Sequence, residues 1–332
     1  MKIAIITDRF PPQSATNGLL AYSSAIELSQ LGHQVQILTS FTPDQAPPPL
    51  PDKVELLQSF KNWGFWETSR IVPLLVQYRP DSIHIFPSGK GPSKKTLGAF
   101  NLISSVKPLL GSTKFVTSIS DIEKFPEGLL MNLARNSDFL TFNSRDIARG
   151  RSFSNRFNPN LKIEELDPSF SFISLIPTRK LEIELPHQYI WLPNQLEEIV
   201  SHPELLKKYD PILSERSELH LLITGAELQQ KNSQLRTLQN FLNTWVFGGR
   251  VQIHQSWNPI SAKSFASQVQ FTSVTDLSNT SPLKKIIEQF CALSEIPELI
   301  ADQNSWTSQS FEVEDLQLNA QENALSRLYS EF

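Results

Sequence analysis

Cysteine and long apolar runs are scarce in this sequence, and each scarcity excludes a class of protein. Cys291 is the single cysteine among 332 residues, so an internal disulfide framework and a cysteine-based zinc site are excluded. No apolar stretch approaches the roughly 20 residues that a membrane-spanning helix requires. The N-terminal apolar run meets Asp8 too early for a signal peptide. We therefore expect a cytoplasmic protein in a reducing environment.

An excess of charge of one sign is also missing. Lys and Arg number 30 against 34 Asp and Glu, a formal net charge of -4, so we expect no nucleic-acid partner. The six histidines are scattered without metal-ligand spacing, and no metal or other cofactor is expected. The length exceeds what one ordinary core contains, which predicts two domains.

Two phosphate-binding motifs are absent as well. No Gly-x-Gly-x-x-Gly fingerprint follows the first apolar run, which argues against a dinucleotide-dependent oxidoreductase. Gly89–Gly91 is not a P-loop, because the required upstream glycine is missing and Pro92 replaces the Ser or Thr. Neither a nucleotide hydrolase nor a dehydrogenase is indicated.

What the chain does contain is a strand, helix and strand at its beginning. Met1–Thr7 is a continuous apolar run, typical of a parallel strand buried on both faces. After Pro11 and Pro12, Leu19–Leu31 has apolar residues at helical spacing, and Gly32 is suited to end that helix. Val35–Thr39 is the next strand. The pattern predicts a right-handed βαβ unit.

Strands and helices continue to alternate along the rest of the chain, as a doubly wound parallel sheet requires. The predicted elements of the first half are a helix over Arg70–Tyr78 and strands over Ser82–Phe86, Lys114–Ser118 and Asp138–Asn143. Those of the second half are strands over His187–Leu192, Glu218–Thr224 and Arg250–His254, with a helix over Leu228–Trp245.

This order resembles the GT-B glycosyltransferases, in particular the retaining family four that uses nucleotide-sugar donors. The matching motifs are Lys2–Asp8, Phe10–Pro12, Asn17–Gly18, Gly32–His33 and Val35–Thr39. Asn17 stands where the family has the first of two loop glycines. The resemblance implies an α/β fold of two Rossmann-like, doubly wound parallel-sheet domains that face a central cleft.

The domain boundaries follow from the same resemblance and from the distribution of prolines. We expect an acceptor-side domain over residues 1–170, a linker over 171–186 and a donor-side domain over 187–310. Residues 311–332 then form a C-terminal helix that returns to the first domain, and a simple C-terminal surface helix is the alternative.

The resemblance also implies which residues form the site. It assigns the acceptor-side loop to Asn17, Gly18 and His84, and donor binding to Glu288, Thr280, Gly225 and Asn194. No catalytic residue is identified, and the weak candidates are Ser120 and Asp121. Two of these positions leave alternatives open, because His84 also suits a packed core residue and Glu288 a solvated surface residue.

Several donor-site positions depart from the family pattern. The segment Pro193–Glu198 has neither the Arg nor the Lys that would stabilise a leaving diphosphate. Thr280 replaces the first of two glutamates, and Ser120 replaces a histidine. The donor site is therefore degenerate. Lys284 and Lys285 could supply the missing charge, or they form the solvated face of a helix.

Two functions remain open after this comparison. In the first, the protein transfers a hexose, with retention, from a nucleotide diphosphate sugar to a glycan or lipid-linked acceptor in polysaccharide biosynthesis. In the second, it is a pseudo-glycosyltransferase that binds or scaffolds a partner, for example an active homologue. Lys94 and Lys95 suit contact with lipid headgroups at the inner membrane face, and a solvated loop is the alternative. We favour the transferase without assigning it activity.

Overall fold

A computed structural model of the chain describes most of both predicted domains. The residues described are 1–11, 16–40, 50–60, 68–87, 107–120, 122–143, 146–157, 161–166, 187–193, 195–225, 232–255, 266–274, 287–288, 290–292, 294–302, 305–311 and 325–330. They fall into two compact units. The first contains the described residues of Met1–Pro11, Ala15–Phe172 and Asp315–Phe332, and the second those of Ile173–Glu314.

The first unit is built on a seven-stranded, entirely parallel sheet. Its strands are β1 (Lys2–Thr7), β2 (Gln34–Ser40), β3 (Val54–Phe60), β4 (Ser82–Phe86), β5 (Lys114–Ile119), β6 (Phe139–Phe142) and β7 (Lys162–Glu165). Their order in space is β3-β2-β1-β4-β5-β6-β7. The chain therefore reverses direction across the sheet between β1 and β4, as in Rossmann-like folds.

The described residues of this unit form the helices α1 (Thr16–Gln30), α2 (Thr68–Tyr78), α3 (Glu127–Asn136) and α4 (Ile147–Phe157), and a short C-terminal helix over 325–330. Helix α1 ends in a Schellman motif, with Gly32 at a φ of 90°. The His33 N–H donates to the Leu28 carbonyl at 3.0 Å, and the Gly32 N–H donates to the Ser29 carbonyl at 3.0 Å. Because only glycine adopts this φ without strain, Gly32 fixes the point at which the chain turns into β2.

The central strands of the first unit are buried on both faces, which explains their continuous apolar sequences. Every residue of β4 is buried, as are the last five residues of β1 and of β5. A hydrophobic cluster joins these strands to α2 and α3 through Ile71, Leu75, Leu129 and Leu133, among others.

The second unit contains a six-stranded sheet of the same order with one reversed edge. Its strands are β8 (Gln188–Leu192), β9 (Leu219–Gly225), β10 (Val251–Gln255), β11 (Val269–Thr272), β12 (Glu298–Asp302) and β13 (Ser305–Gln309), arranged as β10-β9-β8-β11-β12-β13. Strand β13 pairs antiparallel with β12, and the other pairs are parallel. The helices are α5 (Leu196–Ser201), α6 (Asp210–Glu215) and α7 (Asn232–Thr244).

The strands predicted from continuous apolar runs are confirmed to within one or two residues at each end. The helix predicted over Leu228–Trp245 is confirmed over Asn232–Thr244. Four strands were missed by the sequence analysis, and they are β3, β7, β11 and β13, whereas β12 overlaps the strand that the resemblance implies at the end of Ser281–Ala301. These strands are short or lie at sheet edges, and they carry polar residues among the apolar ones, so their periodicity resembles that of loops.

Candidate functional site

The carboxyl ends of β1 and β4 meet where the order of the first sheet reverses. Ligands of open α/β sheets bind outside the carboxyl ends of the strands at such a switch point. Asp8 directly follows β1 and is partly exposed. The Asn17 amide, at the start of α1, donates to Asp8 Oδ1 at 2.7 Å and to the Phe86 carbonyl at 3.1 Å. A single side chain thus connects β1, β4 and α1 at the switch point.

Gly18 lies where the backbone of α1 approaches the turn after β1. A Cβ atom added to Gly18 would lie 2.6 Å from the Arg9 carbonyl oxygen and 3.3 Å from the Phe10 Cα. Both neighbours are backbone atoms that cannot rotate away. The role of Gly18 in this structure is therefore the close packing of a helix against the end of a strand.

Ser120 follows β5 at the same edge of the sheet and is partly exposed. The Asn143 Nδ2 group donates to the Ser120 carbonyl at 2.9 Å, and Asp146 Oδ2 accepts from the Ile122 N–H at 3.1 Å. These two bonds hold the turn after β5. Asp121, the other catalytic candidate, lies outside the described residues.

His84 occupies the middle of β4 and has no exposed surface. Its Nε2 atom lies 2.6 Å from Ser118 Oγ and its Nδ1 atom 2.9 Å from the hydroxyl of Tyr329, in the C-terminal helix 325–330. Ser118 Oγ in turn lies 2.6 Å from Thr141 Oγ1. Burial lowers the pKa of His84 to about 3, so the ring is neutral. Both ring nitrogens are engaged in this internal network.

The second sheet has its own switch point, between β8 and β11. Gln195 follows β8, is buried, and donates from Nε2 to the carbonyl of Ser273, which follows β11, at 2.7 Å. The Ser273 N–H donates back to the Trp191 carbonyl at 3.0 Å. The loops after both strands are thus tied together by one amide side chain.

Gly225 ends β9 beside the start of α5. A Cβ atom at this position would lie 2.6 Å from the Leu196 Cβ and 3.2 Å from the Leu196 nitrogen. The preceding residue, Thr224, accepts a hydrogen bond from Trp191 Nε1 at 2.9 Å. Gly225 therefore sets the distance between α5 and the carboxyl edge of the sheet.

The segment that carries Glu288 packs near the same edge. Ile287, Phe290 and Cys291 are fully buried, and the Phe290 ring meets the Trp191 ring edge-on at 5.6 Å between centroids. Burial raises the pKa of the Cys291 thiol, which hydrogen-bonds Thr272 at the end of β11. Glu288 is partly exposed on this anchored segment. Trp191 therefore contacts both segments that carry a predicted donor residue. Its ring packs against Phe290 of the Glu288 segment, and its Nε1 group donates to Thr224, which precedes Gly225.

The remaining donor candidates, Asn194 and Thr280, lie outside the described residues, as do Lys284 and Lys285. Gln195 was not selected from the sequence, because a lone glutamine beside a strand gives no periodic signal. Asp8 was noted as part of a motif without a role. Its position directly after a buried strand is the signal that identifies it.

Within the described ranges, no three His, Cys, Asp or Glu side chains are grouped so as to hold a metal ion. The described helices include none with the length and apolar character that a membrane crossing requires.

Comparisons with known proteins find similarity of fold only. No family model and no curated protein sequence matches the chain. HepE from Anabaena, solved with UDP and glucose, is 14% identical with a TM-score of 0.55, over 100% of this chain and 95% of its own.

Two further solved structures extend over nearly the whole chain. Sucrose-phosphate synthase from Thermosynechococcus elongatus is 12% identical with a TM-score of 0.56, over 99% of this chain and 90% of its own. The UDP-GlcNAc 2-epimerase of Methanocaldococcus jannaschii is 11% identical with a TM-score of 0.52, over 99% of this chain and 92% of its own. The chain therefore has the α/β fold of two Rossmann-like domains that these GT-B proteins share.

Proposed function

We propose that the chain is a glycosyltransferase-like protein that transfers a hexose from a nucleotide diphosphate sugar to a glycan or lipid-linked acceptor. The observation that carries this proposal is the likeness, over its full length, to a structure that holds UDP and glucose. A shared fold alone does not determine function. The proposal therefore also rests on the polar groups at the two switch points.

Group transfer needs two binding sites, and the chain has two sheets that each reverse their strand order. We assign the donor to the second unit, where Gly225 and the Glu288 segment lie beside Trp191. Asn194 and Thr280 complete the proposed donor set, and Ser120 and Asp121 stay the candidates for catalysis. Retention of the anomeric configuration and a role in polysaccharide biosynthesis belong to the same proposal.

A second candidate function is a pseudo-glycosyltransferase that serves as a binding or scaffolding partner. The observation that favours it is the loop after β8, which has no Lys or Arg over Pro193–Glu198 and whose Gln195 amide is bonded to Ser273. Removing one electrostatic contact to a developing charge often costs about 10² to 10³ in rate. An active homologue is the partner this candidate would have, and a location at the inner membrane face is compatible with either candidate.

The test is a thermal-shift titration of the full chain with UDP, GDP and ADP, followed by the corresponding sugars. A ligand at 100 times its Kd stabilises the folded state by about 2.7 kcal/mol, so weak sites are detectable at millimolar nucleotide. Stabilisation by one nucleotide supports the transferase and identifies the donor class. A cooperatively folded sample that responds to none of them supports the pseudoenzyme.

Glu288→Ala makes the same test specific for the donor site. We expect the variant to fold normally and to lose the nucleotide-dependent shift, because the carboxylate would no longer accept bonds from the donor hydroxyls. Glu215→Ala, at an exposed position at the end of α6, is the matched control and should retain the shift. Equal shifts in both variants would remove Glu288 from the site.

A further inference from the structure

Lysines line the edge of the seven-stranded sheet at which its strands begin, opposite the carboxyl edge. The strands of a parallel sheet all begin at one edge, with neighbours about 4.8 Å apart. Strands β1, β5 and β7 begin with Lys2, Lys114 and Lys162, and Lys53 directly precedes β3. All four side chains are exposed. The strand starts therefore carry a row of lysines that faces solvent.

Three arginines add to the positive charge of this edge. A helix that connects two parallel strands runs back to the edge where the next strand begins. Arg79 directly follows α2, and Arg135 and Arg156 lie in the last turns of α3 and α4. The described acidic residues at the edge are Asp52, Asp81, Asp138 and Glu55. The edge is therefore basic, whereas the whole chain carries a formal net charge of -4.

The needs of the fold account for the arginines but not for the lysines. Cations at helix C-termini are favoured by the helix dipole, and the three arginines lie at such ends. Sheets have only small net dipoles, so lysines at strand starts gain no such stabilisation. Lys107, nearby, pairs with Asp138 at 2.6 Å. Among the described residues no carboxylate pairs with Lys53 or Lys114, so both are available to a partner.

Two exposed apolar side chains lie at the same edge. Leu109 is 69% exposed in the turn Lys107–Leu110, which precedes β5, and Val76 is 44% exposed in the last turn of α2. Helix α2 packs beside this turn. Thr113 Oγ1 donates to the Pro80 carbonyl at 2.7 Å, which fixes the chain after the turn to the start of β4. The apolar tip is thus held in place next to the lysine row.

We infer that this edge docks onto an anionic lipid bilayer. The amino-edge surface, as we call it, consists of Lys2, Lys53, Lys114, Lys162, Leu109 and Val76. Each lysine near an anionic membrane increases binding about 5-fold, and exposed apolar side chains enter the headgroup region. An acidic protein is the poorer match, because lysine is depleted in protein interfaces.

Docking by the amino-edge surface has a consequence for the first switch point. Strand β1 has six residues and spans about 20 Å, so the carboxyl edge lies at that distance from the lipid and opens away from it. Lys94 and Lys95, the candidates for lipid contact in the sequence, lie outside the described residues, and the surface is defined without them. The inference goes beyond the proposed function and holds for both candidate functions.

The experiment is co-sedimentation of the full chain with vesicles of phosphatidylcholine, and with vesicles of phosphatidylcholine and phosphatidylglycerol in equal amounts. We expect binding to the second kind only, and weaker binding as added salt screens the charges. The double variant Lys53→Gln/Lys114→Gln should lower the partition coefficient about 25-fold. Leu109→Ser should lower it about 5-fold, because less apolar surface leaves water.

Two matched controls carry the same changes in the second unit. The double variant Lys207→Gln/Arg236→Gln removes two exposed cations there, and Val246→Ser removes an apolar side chain that is 89% exposed. Both controls should bind as the wild type does, and this result with the expected losses in the two edge variants supports the surface. Equal binding of all five proteins overturns it, as do equal losses in controls and edge variants. A wild type that binds neither kind of vesicle also overturns it and makes an acidic protein the partner to test.

Thermal-shift titration of the same five proteins with UDP separates this inference from the proposed function. Vesicle binding that depends on the amino-edge surface, without any response to UDP, supports the surface and rejects the donor site. A response to UDP in a wild type that ignores anionic vesicles rejects the surface alone.

Discussion

His84 and Asp8 belong to neighbouring parts of the same sheet, and their surroundings give them opposite properties. His84 is fully buried, neutral, and bonded through both ring nitrogens. Asp8 lies at the carboxyl edge and is partly exposed. The resemblance placed His84 on the acceptor side, whereas burial restricts it to the interior of β4 and favours the reading of a packed core residue. Position along a strand thus separates a buried polar residue from one that reaches solvent.

The buried state of His84 makes stability dependent on pH. Its pKa is about 3 in the folded protein and about 6.5 when unfolded, so the folded state binds fewer protons between these values. Its contribution is fully present above pH 6.5 and is lost as the pH falls, by up to about 1.4 kcal/mol per pH unit.

Urea unfolding between pH 7 and pH 5 measures this effect. The wild type should lose stability on acidification more steeply than His84→Gln. His202→Gln, at an exposed histidine, should follow the wild type. Parallel curves for the wild type and His84→Gln would contradict the neutral, buried histidine.

Gly18 provides a test of backbone packing. In Gly18→Ala the new Cβ would lie 2.6 Å from the Arg9 carbonyl oxygen, so the turn or the helix must move. Overpacking of this kind costs about 1–3 kcal/mol in the free energy of unfolding. Gly128→Ala in α3, where a Cβ meets nothing within 4 Å, is the control and should be neutral or stabilising. Equal urea midpoints for Gly18→Ala and Gly128→Ala would show that the backbone around Gly18 accommodates a Cβ atom.

At the scale of elements, the sequence predicts buried strands well and edge strands poorly. Lys2–Thr7 and Ser82–Phe86 are predominantly apolar because all their residues except Lys2 are buried, as in strands covered on both faces. Lys162–Glu165 at the edge has no buried residue, so its sequence carries no apolar signal. The antiparallel strand β13 was not predicted either. A polar edge strand forms through its hydrogen bonds to the neighbouring strand, and its own composition gives no apolar pattern.

The candidate site was less predictable than the strands around it. The family resemblance located Gly18 and Gly225, but their close contacts with Arg9 and Leu196 depend on three-dimensional packing. The bond between Gln195 and Ser273 joins residues 78 positions apart. No local pattern encodes such a pair, so the ties at both switch points became visible only in the folded chain.

The accessibility of the Cys291 thiol measures how often the segment that carries Glu288 opens. Its thiol is buried and its pKa is raised by that burial, so little reactive thiolate forms at pH 8. We expect a thiol reagent such as DTNB to label the native protein much more slowly than the protein in concentrated urea. A nucleotide that binds next to this segment should slow the labelling further, because the segment must open for the reagent to enter. Fast labelling of the native protein would show that the packing against Trp191 is transient.

At the scale of the whole molecule, the chain begins and ends in the same unit. The first unit contains the described residues of Met1–Pro11 and Ala15–Phe172 together with those of Asp315–Phe332, and the second contains those of Ile173–Glu314. The helix 325–330 packs into the first unit through buried Leu325, Leu328 and Tyr329. The bond between Tyr329 and His84 spans 245 positions of sequence. The described residues of the second unit therefore come from one continuous segment, whereas those of the first unit come from segments on both sides of it.

Tyr329→Phe tests how much this last helix contributes to the first unit. The variant keeps the ring and removes the hydroxyl, so His84 Nδ1 loses its partner inside the protein. We expect a loss of about 1–3 kcal/mol in the free energy of unfolding. Tyr78→Phe, whose hydroxyl donates to the Gln34 carbonyl in an exposed setting, is the control with a smaller expected loss. A Tyr329→Phe protein as stable as the wild type would show that water replaces the hydroxyl.

The return of the chain to its first unit has a consequence for synthesis on the ribosome. Tyr329 lies 245 positions after His84, so the ribosome makes Ile173–Glu314 of the second unit before it makes this residue. His84 must then wait without this partner while the whole second unit is made. The second unit can fold during translation, but the first gains the helix 325–330 only after the second unit has been made.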